Sequence, residues 1–158
     1  MRPVVTIYVD ADACPVKPEI YRVAGRTGTK VCLVSNAPLR LPTECLAELV
    51  VVGAEFDAAD NWIAENATNQ DIVVTADIQL ADRCVKKGAV VIGSTGKPFT
   101  PDSIGGALAT RALMADLRDM GVVSGGNAPM RPQDRSRFLQ TLDQAVQALK
   151  AGRRPRWR

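Results

Sequence analysis

Three features of the sequence predict a three-layer α/β/α fold, built on a mainly parallel five-stranded sheet and followed by two C-terminal helices. Short apolar runs recur at residues 4–9, 30–34, 49–52, 71–75 and 89–92, each shorter than a typical helix. Helix-like stretches separate most of them, giving the order β-α-β-β-α-β-α-β. The runs are dominated by Val, Ile and Leu, as expected of parallel strands covered on both faces.

Taken in order, residues 4–9 read as a buried strand that ends at Asp10. Pro15 and Pro18 follow where a helix can begin, because proline is tolerated in a first turn. Residues 19–24 continue that helix, and Gly25 and Gly28 close it. A second strand at 30–34 leads into a Ser-Asn-Ala-Pro turn, and residues 36–47 carry no clear period. The third strand, 49–52, stops at Gly53, and 57–66 reads as a helix. Residues 71–75 contain the fourth strand. A helix over 77–87 ends at Gly88, before the fifth strand at 89–92. Residues 93–101 are expected to be a loop, with Asp102 or Ser103 capping a helix that runs to about Met120. A Gly/Pro-rich connection over 121–132 precedes a last helix, 134–149, whose Phe138, Leu142, Ala145, Val146 and Leu149 share one stripe. The expected organisation is one domain over residues 1–150 and a basic, disordered tail over 151–158.

Composition narrows the chemistry. The 158 residues include no histidine, which excludes a Ser-His-Asp triad, a Cys-His dyad and a His-ligated metal within one chain. Cys14, Cys32, Cys45 and Cys84 form no CxxC pair, so a zinc ribbon is not indicated. No signal-peptide pattern and no spanning apolar run is seen, so a cytoplasmic protein with reduced thiols and no membrane partner is expected. The net charge of +3 is uneven: residues 122–158 hold eight Lys/Arg against two acids. A basic end on an acidic body suits a polyanion such as nucleic acid.

Acidic residues recur where strands end. Asp10 and Asp12 follow the first strand, Asp57 and Asp60 the third, and Asp77 the fourth. In a parallel sheet these ends share one edge, where ligands bind. Asp57 and Asp60, three apart, share a helix face, while Asp82 lies about 140° around the helix from Asp77 and is expected to face solvent. Converging carboxylates repel unless a cation sits among them. Hard oxygen donors suit Mg²⁺ or Mn²⁺, and such ions activate water toward phosphodiesters. Asp10, Asp12 and Asp77 are therefore the candidate catalytic acids, with Asp57 and Asp60 added as metal ligands. The local alternative for Asp57 and Asp77 is an N-cap. Cys14, beside Pro15 at a helix start, could be a reactive thiolate or a packed residue. Arg111 shares a stripe with Ile104, Ala107 and Leu108 and could reach a phosphate or snorkel to the surface.

These segments resemble a known family. Asp10-Ala11-Asp12-Ala13-Cys14-Pro15-Val16-Lys17 looks like the opening motif of the bacterial YaiI/YqxD family of uncharacterised proteins. Asp57-Ala58-Ala59-Asp60-Asn61-Trp62-Ile63, Thr75-Ala76-Asp77-Ile78-Gln79-Leu80-Ala81 and Asp134-Arg135-Ser136-Arg137-Phe138-Leu139 are similar to later parts of it. More broadly, Ile72-Val73-Val74-Thr75-Ala76-Asp77 with the following helix, Lys87-Gly88 and a strand resembles the late βαβ unit of PIN-like nucleases. That resemblance implies a PIN-like domain with acids at strand ends around Mg²⁺ or Mn²⁺, cleaving RNA or flapped DNA, with RNA the expected substrate here. Asp10 and Asp77 match its first and late acids, and Asp57 or Asp60 a middle one. Asp12 is an additional acid.

Two other functions compete. A non-catalytic nucleic-acid-binding module would use Arg111, Arg131, Arg135 and Arg137, with the Arg-rich tail and Trp157. A phosphatase resembling haloacid dehalogenases would use Asp10 as nucleophile and Asp12 as acid/base. Leu33-Val34-Ser35-Asn36 is similar to that family's second motif. The required lysine is missing, since positions 36–76 contain none.

Overall fold

Side chains of the central strands alternate strictly between two buried faces, which fixes the layers. The structure, a computed structural model, describes residues 4–121 and 129–157. Most of the Gly/Pro-rich connection expected over 121–132 thus lies outside the described residues. The strands are β1 (Thr6–Asp10), β2 (Lys30–Ser35), β3 (Ala47–Val51), β4 (Ile72–Val74), β5 (Val90–Ile92) and β6 (Pro98–Phe99). They are interleaved with α1 (Lys17–Thr27), α2 (Ala58–Asn66), α3 (Ile78–Lys86), α4 (Pro101–Asp119) and α5 (Pro132–Lys150).

The sheet order is β3-β2-β1-β4-β5-β6, parallel except for β6. Sequence predicts five strands; the sixth is a two-residue antiparallel addition inside the expected 93–101 loop. Its proline can sit there because β6 is an edge strand. Ile7, Val31, Ile72 and Val90 align across one face in register, as do Val9, Leu33, Val74 and Ile92. This face buries α1 through Ile20 and Val23, and α5 through Phe138, Leu142, Ala145, Val146 and Leu149. The opposite face, with Cys32, Val34, Val73 and Val91, buries α2, α3 and the start of α4 through Ile63, Leu80, Cys84 and Ile104. The last helix therefore forms part of a main layer, and its predicted stripe is the buried one.

Parallel strands need a crossover, usually helical. Between β2 and β3 the crossover over residues 36–46 is irregular. Leu39 and Cys45 pack it on the α1 face, and Glu44 abuts Gly25 so closely that a Cβ there would lie 2.4 Å from the Glu44 carbonyl oxygen. Gly25 is thus kept for this contact inside α1, while Gly28, at φ 67°, ends the helix. The cap of α4 also differs from expectation. Thr100 and Ser103 exchange hydrogen bonds, Thr100 N to Ser103 Oγ at 2.9 Å and Ser103 N to Thr100 Oγ1 at 3.1 Å. Thr100 is the cap, with Pro101 in the first turn.

The last described residues, 151–157, follow α5 closely. They run back along it: Arg154 donates to the carbonyls of Asn69 and Gly88, Gln144 donates to the Arg156 carbonyl, and Trp157 packs at the edge of the first core. No helix among the described residues is long and apolar enough to cross a membrane.

Candidate active site at the carboxyl edge of the sheet

The chain leaves β1 toward β2 and β3, and leaves β4 in the opposite direction toward β5. The carboxyl ends of β1 and β4 therefore flank a topological switch point, the position where open α/β sheets bind ligands. Asp10 closes β1 there, and Thr75-Ala76-Asp77 follows β4. A small cleft of about 190 Å³ opens between them, lined by Asp10, Cys14, Thr75, Asp77 and Ser94 among others.

Thr75, buried after β4, ties the two strand ends together. Its hydroxyl accepts from the Asp77 N–H at 3.0 Å and donates to Asp10 Oδ2 at 3.3 Å. Asp77 caps α3: Oδ1 accepts from Gln79 N at 2.9 Å and from Leu80 N at 3.3 Å. Both capping bonds use Oδ1, so Oδ2 is left for another partner. The N-cap and the site roles of Asp77 are thus compatible.

Asp60, in the first turn of α2, brings in the third acid. Burial and the nearby charges of Asp77 and Asp10 push its carboxyl up to about 6, with Asp57 contributing least. Burial also raises Asp10; the Thr75 hydrogen bond opposes this, and the Asp77 and Asp12 charges add to it. These shared influences define a cluster of Asp10, Asp60 and Asp77.

Asp12 and Asp57 act on this cluster more weakly, each as the smallest contribution to the shift of Asp10 and of Asp60 respectively. Asp12 lies in a 3-10 turn, Ala11–Ala13, whose Ala11 is buried. It spends both oxygens on the end of β2, accepting from Ser35 Oγ at 2.5 Å and from Asn36 N at 3.0 Å. Asp57 is exposed and occupies the N-cap position of α2 without a side-chain capping bond. Asp82 does not face open solvent as expected: its side chain is 18% exposed and pairs with Lys86 at 2.9 Å. The Cys14 thiol is pushed up to about 11, chiefly by burial, so the packed-residue reading applies rather than the thiolate.

The candidate arginines are dispersed. Arg135 is held by Glu19 at 2.8 Å and by the Pro15 carbonyl at 3.0 Å, locking α5 to α1. Arg131 pairs with Asp134 at 3.4 Å within the α5 cap, and Arg137 reaches the same carboxylate only at 3.9 Å. Arg111 is exposed on α4, where the stripe starting at buried Ile104 has left the body. The polar side chains that sequence reasoning did not assign to this site are Thr75, Ser94 and, in its role of holding Asp12, Ser35. Their shared signal is a hydroxyl residue just past an apolar run.

The donor set can be tested against a divalent ion. Among the described residues, no three Asp, Glu or Cys side chains form a ready-made metal cage. Mg²⁺ does not require one, because it keeps several waters and is commonly bound by one or two carboxylates. The Asp60–Asp77 pair, whose charges act on one another, offers the one or two carboxylates that such a hydrated ion takes.

The electrostatic cost of the cluster is measurable. The Asp60 carboxyl titrates near 6 in the fold against about 3.8 otherwise. Between those values the folded state holds more protons, so stability falls as pH rises through about 4 to 6 and stays lower above. Asp60→Asn removes that cost. In metal-free buffer near pH 7.5 it should stabilise the fold by about 1 kcal/mol, reduced from the full shift because the side chain is partly solvated. Thermal melts should show a gain of roughly 3 °C, vanishing near pH 3.5.

The geometry defines an open, doubly wound α/β protein with carboxylates gathered at its switch point. The chain belongs to the YaiI/YqxD family, whose model, described as "Uncharacterized BCR, YaiI/YqxD family", matches residues 8–148. It is 58% identical to a UPF0178 protein of Rhodospirillum centenum, over 93% of this chain and 98% of that one. A UPF0178 protein of Sphingopyxis alaskensis is 62% identical over 92% and 96% of the two chains, and one from Nitrobacter winogradskyi 55% over 92% and 93%. No solved structure matches the chain.

Proposed function

We propose that the β1–β4 cleft is a phosphodiesterase site and that the protein is a Mg²⁺- or Mn²⁺-dependent nuclease acting on RNA in preference to DNA. The observation that carries this reading is the convergence of Asp10, Asp60 and Asp77, with Asp60 held near 6 by burial and its neighbours. Like charges brought together at a ligand-binding edge are stabilised by a bound cation. The PIN-like resemblance of the Thr75-Ala76-Asp77 segment points the same way, as a fold-level analogy.

In this reading Asp60 and Asp77 hold the ion and Asp10 completes the acidic wall. When bound, the ion polarises phosphoryl oxygens and lowers the pKa of water. Thr75 fixes Asp10 against Asp77 through its relay of hydrogen bonds. Asp12, restrained by Ser35 and Asn36, holds the 3-10 turn beside the cleft and positions Asp10. A haloacid-dehalogenase-like phosphatase would need a lysine in the same cleft. The cleft lining contains none, and Lys87 instead donates to the α2 carbonyls of Ala64 and Glu65.

The test pairs catalysis with binding. Single-stranded RNA should be cleaved with Mn²⁺ or Mg²⁺ and be untouched in EDTA. Saturating Mn²⁺ should raise the melting temperature of the wild type, at about 100-fold excess over Kd by the equivalent of roughly 2.7 kcal/mol. The rise should be lost in Asp60→Asn/Asp77→Asn. EDTA-resistant cleavage, or a Mn²⁺ shift indifferent to both acids, would sink the proposal.

A further inference from the structure

A second, larger cleft of about 770 Å³ lies on the other side of the β5–β6 turn. Its walls come from three places: Lys97 from the turn, Arg137, Thr141 and Gln144 from one stripe of α5, and Trp157 from the returning tail. Arg131 closes one end. No carboxylate lines the cleft, so three cations face one hollow. The nearest acid is Asp134, whose side chain is only 9% exposed and which pairs with Arg131 at 3.4 Å. Its contact with Arg137 is longer, 3.9 Å, and Arg137 remains 44% exposed. Lys97 has no carboxylate partner among the described residues.

The cleft is a built feature. Thr141 Oγ1 donates to the Gly96 carbonyl at 2.8 Å, fastening the turn to α5. Gln144 Nε2 donates to the Arg156 carbonyl at 2.8 Å, holding the tail so that Trp157 reaches the cleft. An indole beside three cations offers a stacking face and charge-assisted donors together, the pairing that recognises a base and its phosphates. The volume lies within the range of small-ligand sites.

We propose that this cleft binds a nucleotide, with the base stacked on Trp157 and the phosphates held by Lys97, Arg131 and Arg137. The nucleotide is either free or one unit of a single strand. The site does not depend on hydrolysis at the acidic cleft. The two are linked through one loop, since Ser94 lines the acidic cleft and Lys97 this one.

The chain has two tryptophans, Trp62 and Trp157, so Trp62→Phe leaves Trp157 as the sole indole reporter. In EDTA, this variant is titrated with a nucleoside triphosphate, a short oligouridylate, polyphosphate and polyglutamate. Quenching by the triphosphate or the oligouridylate, and not by the two base-free polyanions, is the expected result. Tighter binding of the oligomer identifies a strand, and equal or tighter binding of the triphosphate a free nucleotide. With a labelled oligouridylate or triphosphate read by anisotropy, Trp157→Ala should weaken binding about tenfold. Lys97→Ala and Arg137→Ala should each do the same, with circular dichroism unchanged. Asp10→Asn should leave this binding intact, which separates failure here from failure at the acidic cleft. The proposal is overturned if base-free polyanions bind and quench equally, if neither nucleotide form quenches, or if the Lys97 and Arg137 variants bind as the wild type does.

Discussion

Asp10→Asn is expected to reduce metal-dependent RNA cleavage by about 10- to 100-fold while leaving the melting temperature equal to or above that of the wild type. The two halves of this expectation come from one cause. Asp10 is forced toward the protonated form by burial and by Asp77 and Asp12, against the Thr75 hydrogen bond. A carboxyl raised in the fold gives most stability when protonated and loses it as pH climbs above its ordinary range. At neutral pH an uncharged amide therefore removes a cost, and its carbonyl oxygen still accepts from Thr75 Oγ1. A structural aspartate would behave in the opposite way, with stability and activity falling together. Asp77→Asn should repeat the activity loss, because asparagine keeps the α3 cap. Asp77→Ala should lose about 1 kcal/mol in addition. Steady-state kinetics with saturating Mn²⁺, alongside thermal melts in EDTA, distinguish these outcomes. Full activity in both asparagine variants would remove the acidic cluster from catalysis.

The sheet was legible because its information is local. Runs such as Ile72-Val73-Val74 and Val90-Val91-Ile92 can be little else than buried strands, and a buried parallel sheet puts Asp10 and Asp77 on one edge. What was not legible depends on register and distance. Only the pairing of Asp10 with Val34 places Ser35 beyond the end of β1, where it claims Asp12. Two acids two residues apart look equivalent in sequence; one joins the cluster and the other braces a turn. Arg135 likewise cannot be told from Arg137 by spacing, yet its partner Glu19 is 116 positions away. Strand β6 is too short to show a period. The partners of Arg154, the Asn69 and Gly88 carbonyls, leave no trace in composition because they are backbone atoms distant in the chain.

Gly96→Ala should destabilise the fold by about 2–5 kcal/mol, from a left-handed backbone cost of about 1–2 and an overpacking cost of about 1–3. Gly96 sits at φ +87°, a conformation that side chains rarely adopt. A Cβ there would lie 2.7 Å from both the Arg137 carbonyl carbon and the Phe138 nitrogen. These are helix backbone atoms, so no rotamer change relieves the clash, and either the loop or α5 must move. Moving apart breaks the Thr141–Gly96 hydrogen bond and loosens Phe138, the largest fully buried side chain. Urea titration should show the loss as a lower midpoint. Gly105→Ala is the control: it lies within α4 with nothing within 4 Å, so relief of helix-glycine entropy should stabilise by about 0.5–1 kcal/mol. The same loop carries Ser94 into the acidic cleft and Lys97 into the basic one. Residual folded Gly96→Ala should therefore lose Trp157 quenching by nucleotide as well as stability, whereas a protein weakened to a similar degree by Ile72→Ala, in buried β4, should keep it. That contrast ties the close packing of one glycine on one helix to the shape of the cleft beside it.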